Sequence, residues 1–415
     1  MNILQINTHE ETGGAAKVAN RLHKSFHAME VHHSSMLVGF KTSQDPDVFV
    51  VKTKPDFRLK RSFMIRLGLT DYYLHPLQQT GNTALDNADL VNLHNLHGGY
   101  INFDSVKIIT NHKPTVWTFH DMWPLTGHCA HSFDCQKWRT GCGNCPYLET
   151  YPELKIDLTH HLWKKKRDLL AGSNFTIIAP SQWIAHKIKK SFLQNKPMSV
   201  IYNGVDTDVF HQQHKMLARK QLGLPLHRLI VSSVAYMGIK NTWKGGRYLI
   251  EAIQRLSQRE DIFFLNIGSD EQLEGISQRS YASVGHISRE EELALYYSAS
   301  DLFLFSSLAE NCPLVILEAM SCGLPVVTFD VGGTAELVLH KQTGYVASYK
   351  DFNDFLKGIT LFLEKKAFRL AAGEESRLRV KKYFSLKTQV SKYLRLYAET
   401  NRNFNKTRDK YFSQS

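Results

Sequence analysis

A chain of 415 residues is long enough for two or three domains, each with its own core. With 43% hydrophobic and 22% charged residues it has the composition of a globular protein, which excludes a fibrous or low-complexity chain. A net charge of +12 and a pI near 9.2 ask for an anionic partner, whether nucleic acid, anionic lipid or a polyanionic substrate.

No apolar run approaches the ~18 residues of a membrane span. MNILQINT opens as a strand without the charged start of a secretory leader. A cytoplasmic location is therefore expected, one in which the six cysteines are reduced. After the first strand, HEETGGAAK reads as a loop and KVANRLHKSFHAM as an amphipathic helix. Gly13 and Gly14 stand at the strand-to-helix turn, where backbone can approach a ligand closely, although a tight turn without a ligand has the same pattern. Strands follow at HHSSMLVGF and VFVVKT.

The next stretch, KTKPDFRLKRSFMIRLGL, interleaves Lys52, Lys54, Arg58, Lys60, Arg61 and Arg66 with Phe57, Phe63, Met64 and Leu67. That alternation suits a helix lying on anionic lipid, and equally an ordinary solvated helix. Similar basic faces recur in WKKKR (163–167) and HKIKK (186–190).

DLVNLHNLHGGY and TVWTFHDMWP are strands running into polar loops. Ligands of open parallel sheets bind at the carboxyl ends of strands, which is where TVWTFH places His120. Its imidazole can donate to a diphosphate oxygen or a sugar hydroxyl, or serve as a structural histidine, and Asp121 beside it can orient an acceptor. In HCAHSFDCQKWRTGCGNCP, Cys129, Cys135, Cys142 and Cys145 end in a C-x-x-C knuckle flanked by Gly141 and Gly143. The alternatives there are a structural zinc, clustered free thiols and disulfides, and a reducing compartment favours zinc over disulfides.

FTIIAPS and SVIYNGVD read as the last strands of a first domain, with a turn at Asn203-Gly204. Beyond it LIVSSVAY, FFLNIGS, YASVGHI, DLFLFSS and PVVTFD alternate with helical stretches, which gives a second doubly wound domain. Lys244, in TWKGGRYLIEA at the start of the first long helix there, is a suitable point charge for a diphosphate. The segment from Ser300 to Glu336 reads as strand, loop, helix, strand and glycine loop. Pro313 can start its helix and Gly323 can end it. Glu310 precedes that helix and Glu318 lies within it. A carboxylate there is suited to sugar hydroxyls rather than to phosphate, while the Gly332-Gly333 pair offers a second close backbone approach. A structural βαβ unit with two solvated glutamates has the same pattern.

AENCPLVILEAMSCGLPVVTFDVGGTAELV resembles the signature of the family 4 glycosyltransferases, retaining enzymes of the GT-B fold in which two glutamates separated by seven residues flank the loop that holds a nucleotide-sugar donor. The resemblance extends over most of the chain and implies two doubly wound Rossmann-like domains facing a cleft. Residues 1–203 would bind the acceptor and carry the cysteine-rich insert near 128–146. Residues 204–385 would bind the nucleotide sugar, and 386–415 would form a C-terminal helix and tail crossing back to the first domain. VIYNGVDTDVF resembles the family's interdomain segment.

By the same resemblance Glu310 touches the donor sugar, Glu318 the ribose hydroxyls, and Leu314, Val315, Gly332 and Gly333 line the donor site. Gly13 and Gly14 face the donor diphosphate and the acceptor, His120 is the catalytic-cleft histidine, and the loop Gly285 to Ile287, with His286, reads the nucleobase. Lys244 holds the diphosphate. Its usual arginine companion is replaced by Ile239 or, after a one-residue gap, Lys240. Asn311-Cys312-Pro313 replaces the glycine-containing loop between the two glutamates.

The donor is expected to be a UDP- or GDP-linked sugar, and the acceptor a saccharide or a lipid-diphosphate-linked saccharide. No Asp-x-Asp signature stands out, so no catalytic metal is expected. The insert resembles one found in a subgroup that builds surface polysaccharides, which together with the basic faces implies peripheral attachment to the inner face of a membrane and no nucleic-acid partner. A nucleotide-sugar epimerase or hydrolase of the same fold, and a basic zinc-knuckle nucleic-acid-binding protein, are the competing readings.

Overall fold

The computed structural model describes residues 1–29, 31–51, 64, 69, 83–234, 243–270 and 272–412. The chain divides into one unit of Met1–Tyr202 with Val390–Ser415 and a second of Asn203–Gln389. Lys240 and the basic residues Lys52, Lys54, Arg58, Lys60, Arg61 and Arg66 lie outside the described residues.

The first unit is built on seven parallel strands: β1 (Asn2–His9), β2 (His33–Phe40), β3 (Val48–Val50), β4 (Leu90–Leu93), β5 (Thr115–Thr118), β6 (Thr176–Ala179) and β7 (Met198–Val200), in the order β3-β2-β1-β4-β5-β6-β7. Strands buried on both faces read as continuous apolar runs, and β4 and β5 are buried along their whole length. Two polar residues interrupt this pattern at matched positions. Gln5 of β1 pairs in register with Asn92 of β4, and both are fully buried. The helix Leu386–Phe412 supplies Tyr393 and Tyr397, also fully buried, whose hydroxyls lie 3.2 Å from Thr118 Oγ1 and 2.8 Å from Asn92 Nδ2. The last helix thus closes one face of this sheet with polar groups that find partners.

The second unit holds six parallel strands: β8 (Leu229–Val234), β9 (Ile262–Ile267), β10 (Tyr281–Val284), β11 (Leu302–Phe305), β12 (Val326–Phe329) and β13 (Gly344–Ala347), in the order β10-β9-β8-β11-β12-β13. Its core is aliphatic and aromatic, with Phe355 stacked on Phe329 and Tyr248 edge-on to the same ring. Asp301, just before β11, has a side chain only 10% exposed and ties the amino end of that strand down. It accepts from Lys215 Nζ and Arg219 Nη2, each at 2.6 Å, and from the Ile230 amide at 2.8 Å.

In each sheet the strand order reverses beside the first strand, between β1 and β4 in one unit and between β8 and β11 in the other. The crevice outside the carboxyl ends at such a switch point is where an open α/β sheet binds its ligand. No described helix is long and apolar enough to cross a membrane.

Candidate functional site

At the switch point of the second unit the chain leaves β11 through Ser306, Ser307 and Glu310 and enters the helix Leu314–Ser321, capped by Pro313 with Leu314 as its first helical residue. Pro313 at this position forfeits no intrahelical bond, while the following amides of Leu314 and Val315 belong to the turn whose N–H groups lack partners within the helix. Gly323 closes the helix with φ of 82°, in the left-handed region.

Lys244 Nζ donates to Glu310 Oε1 at 2.6 Å, and Ser307 Oγ donates to the same oxygen at 2.8 Å. The turn carrying Lys244 is strapped to the end of β11, because Ser306 Oγ donates to the Lys244 carbonyl at 2.8 Å and the Leu308 amide to that of Trp243 at 2.8 Å. Two glycines make the packing possible. A Cβ at Gly245 would lie 1.9 Å from the Ser306 carbonyl oxygen, and one at Gly332 would lie 1.9 Å from that of Glu310, with φ of 65° and 59°. Gly333 donates its amide to the Asn311 carbonyl at 2.9 Å. The close approach made by the Gly332-Gly333 loop is therefore to the backbone that carries Glu310.

Glu318 is 1% exposed and the Glu310 side chain 12% exposed, so the solvated pair of the alternative reading is ruled out. The Asn311-Cys312-Pro313 segment is buried, with the Cys312 carbonyl accepting from Asn203 Nδ2 at 2.8 Å. His286 is exposed and Ile287 buried in the loop after β10, the strand at the far edge of this sheet from β13.

The first unit brings His9, His94, His97, His120 and Asp121 to the carboxyl ends of β1, β4 and β5. Asp121 accepts from His97 Nε2 at 3.0 Å and from the Trp123 amide at 2.8 Å. Burial works against the Asp121 carboxylate, but these partners outweigh it and hold its pKa below the usual value. His120 Nε2 lies 2.8 Å from His94 Nδ1, with the rings stacked. Burial pushes the pKa of His120 down to about 4, against the opposing pull of Asp121, and drives that of His94 well below the ordinary value. Both rings are neutral at physiological pH. His94 and His97 escape a sequence reading because they are the two histidines of a short polar run after an apolar strand, LHNLHG, with nothing to single them out. Gly13 and Gly14 are exposed, and a Cβ at either would meet nothing within 4 Å.

Cys129, Cys135, Cys142 and Cys145 are free thiols that line one cavity together with His128. Burial raises the Cys129 thiol to about 12 and that of Cys142 to about 11. His128 Nδ1 is 2.7 Å from the Pro152 carbonyl oxygen and its Nε2 3.5 Å from Cys145 Sγ. Among the described residues, the group of three or more ligand atoms within 4.8 Å of one another is His27, the last residue of the helix Gly14–His27, with His33 and Asp47 at the amino ends of β2 and β3.

The basic face at 163–167 needs correction. Lys166 is 1% exposed, donates to the carbonyls of Trp123 at 2.7 Å and Thr126 at 3.1 Å, and lies over the Trp123 ring. Trp163 is buried too, so only Lys164, Lys165 and Arg167 contribute charge to the surface.

Two open parallel sheets, each reversing its strand order beside its first strand, are the architecture of the GT-B fold. The Glycosyltransferase Family 4 model matches residues 12–209 and the group 1 glycosyl transferase model residues 231–365. The chain belongs to the group 1, family 4 glycosyltransferases. It is 29% identical over 376 residues to the glycosyl transferase WcaC of Escherichia coli K12, assigned to colanic acid biosynthesis, covering 85% of this chain and 88% of that one. It is 25% identical to the UDP-Gal:alpha-D-GlcNAc-diphosphoundecaprenol alpha-1,3-galactosyltransferase of Escherichia coli, over 51% of this chain and 57% of that one. In fold it is similar to sucrose-phosphate synthase of Thermosynechococcus elongatus, with a TM-score of 0.70 at 19% identity over 96% and 98% of the two chains. Anabaena HepE, solved with UDP-glucose, superposes with a TM-score of 0.67 at 19% identity over 97% of this chain and 100% of that one.

Proposed function

We propose that the chain moves a sugar from a UDP- or GDP-linked donor to a hydroxyl of a saccharide or lipid-diphosphate-linked acceptor during surface polysaccharide synthesis, with retention at the anomeric carbon and without a catalytic metal. The observation that carries this reading is the 2.6 Å Lys244–Glu310 pair at the switch point of the second unit. Negative charge grows on the diphosphate as the glycosidic bond breaks, and a cation held in place before the donor arrives stabilises it without reorganising. Lys244 and the free amides after Pro313 take that role. Glu310, its carboxylate oriented by Ser307, accepts from donor sugar hydroxyls, and Glu318 from the ribose. Gly332 and Gly333 hold the Glu310 loop in place, and His286 and Ile287 sit at the base. In the first unit His120, Asp121 and the Gly13-Gly14 turn serve the acceptor and the transferring sugar.

The likeness to WcaC and to the undecaprenyl-diphosphate-dependent galactosyltransferase supports a polysaccharide product and a lipid-linked acceptor. Such an acceptor places the enzyme on the cytoplasmic face of a membrane, and a structural zinc in the cysteine-rich cavity is part of the same reading. Elemental analysis of protein purified without added metal tests the zinc, and its absence removes that part alone. For the donor, a thermal-shift screen of nucleotide sugars is the direct test. A ligand at 100 times its Kd stabilises by about 2.7 kcal/mol, and a screen in which no nucleotide sugar moves the transition contradicts the reading.

A further inference from the structure

Histidines and aspartates also gather at the other end of the first sheet. His23 and His27 stand four residues apart on the helix Gly14–His27 and share a face, with ring centroids 6.0 Å apart. His33 opens β2, and Asp45 and Asp47 lead into β3. The strands are parallel, so these amino ends lie away from the carboxyl ends that carry His120 and Asp121.

The inner pair of this group is closed. His23 is 2% exposed, with Nδ1 3.0 Å from Ser34 Oγ and Nε2 3.4 Å from Asp45 Oδ2, while Asp45 Oδ1 accepts from the Asp47 amide at 2.9 Å. Lys41 Nζ donates to the Asp45 carbonyl at 2.5 Å and the Met36 amide to that of Asp47 at 2.9 Å. The loop from which the Asp47 carboxylate reaches out is therefore held in place by its own backbone and by His23.

The outer trio is open. Asp47 Oδ1 lies 3.4 Å from His33 Nε2 and Asp47 Oδ2 3.8 Å from His27 Nδ1, with both imidazoles half-exposed. These separations exceed the roughly 2.7–3.2 Å of an N–H···O hydrogen bond, and an ion pair this open to water adds little stability. They come close to a different length. Two nitrogen or oxygen atoms, each about 2.0–2.1 Å from a tetrahedral zinc ion, stand about 3.4 Å apart. His27, His33 and Asp47 each bring one ligand atom within 4.8 Å of the other two, and the two rings are tilted at 56° rather than stacked, which lets both aim a nitrogen at one point.

We infer that His27 Nδ1, His33 Nε2 and a carboxylate oxygen of Asp47 bind a first-row divalent cation of the zinc type, with water in the fourth position. Imidazole and carboxylate without thiolate set this site apart from the cysteine-rich cavity. The ion ties the end of the helix Gly14–His27 to β3, a three-residue strand at the edge of the sheet, and so stabilises the unit from a side remote from sugar transfer.

The test takes the full chain as purified, measures its zinc by elemental analysis and then titrates Zn2+ by calorimetry, beside His27→Gln, His33→Gln and Asp47→Asn. The total zinc bound, carried at purification or taken up, should include one equivalent that each variant holds about a hundredfold more weakly, the upper end of the loss on removing even an outer-shell partner. Zinc held by the cysteine-rich cavity is untouched by these substitutions, so an equivalent lost with them belongs to the trio. Added Zn2+ should raise the melting temperature of the parent and leave that of the variants unchanged. The same zinc total and affinity in parent and variants overturns the proposal. So does a melting difference between them that is the same with and without Zn2+, which would make the trio an ion-pair cluster.

Discussion

Gly332→Ala tests whether the glycine loop acts by holding Glu310. The new methyl would stand 1.9 Å from the Glu310 carbonyl oxygen and 2.6 Å from its carbon, against a lower limit of 3.0 Å for real contacts. The backbone under Glu310 must therefore move by about 1 Å, and a displacement of that size at a reacting site costs on the order of a hundredfold in rate. The left-handed backbone at φ of 59° adds a stability cost of about 1–2 kcal/mol for any residue with a Cβ. Gly223→Ala separates the two effects, since Gly223 has φ of 66° in the same unit but a Cβ there meets nothing within 4 Å. Thermal melts should show that both variants lose stability. Release of nucleoside diphosphate in the presence of acceptor should collapse only in Gly332→Ala. Equal, near-parental rates in both would show that Glu310 need not be where the glycine loop puts it.

Glu310→Gln and Lys244→Ala should each keep the melting transition of a folded chain while losing transfer by a hundredfold or more, the scale of one contact strengthened in the transition state; rates within a few-fold of the parent in both refute the assignment. Asp301 has its pKa depressed because Lys215, Arg219 and the Ile230 amide outweigh the opposing effect of burial. Its stabilisation is therefore complete above the ordinary value of 3.8 and lost as pH falls through the lower folded value, and Asp301→Asn should destabilise by about 3 kcal/mol at neutral pH while flattening the acid limb of a urea series. Binding to anionic vesicles should be clear at low salt and weaken steeply at high salt, within a Debye length of about 10 Å at 0.1 M. It should drop when Lys60, Arg61, Lys164 and Lys165 are neutralised, and sedimentation that ignores vesicle charge refutes the membrane role.

The two doubly wound sheets were legible because their strands are buried on both faces and read as apolar runs between glycine and polar loops, as PVVTFD and DLFLFSS do. The neighbourhood of Glu310 was legible for the same reason, since a carboxylate at the end of such a strand has a switch point beside it. Other features depend on partners distant in sequence. Gln5 and Asn92 looked like incidental polar residues in MNILQINT and DLVNLH, yet they meet across paired strands, and a buried polar residue inside each apolar run was the available signal. Lys166 was read as surface charge, although Leu162, Trp163, Lys166 and Leu170 share helical spacing and the lysine fills the apolar face because two carbonyls and the Trp123 ring wait for it. The glycines at 332 and 333 suggested a ligand, while the backbone they approach belongs to the Glu310 loop.

The central claim is transfer to an acceptor with retention. Incubation of the chain, in the presence of a chelator, with the nucleotide sugar that stabilises it and a diphosphate-linked saccharide acceptor, followed by NMR of the product's anomeric proton and carbon, tests it most directly. The account predicts a new glycoside with the donor's anomeric configuration, formed only when acceptor is present and undiminished by the chelator. Consumption of donor to free or epimerised sugar without acceptor, or a product of inverted configuration, would contradict it.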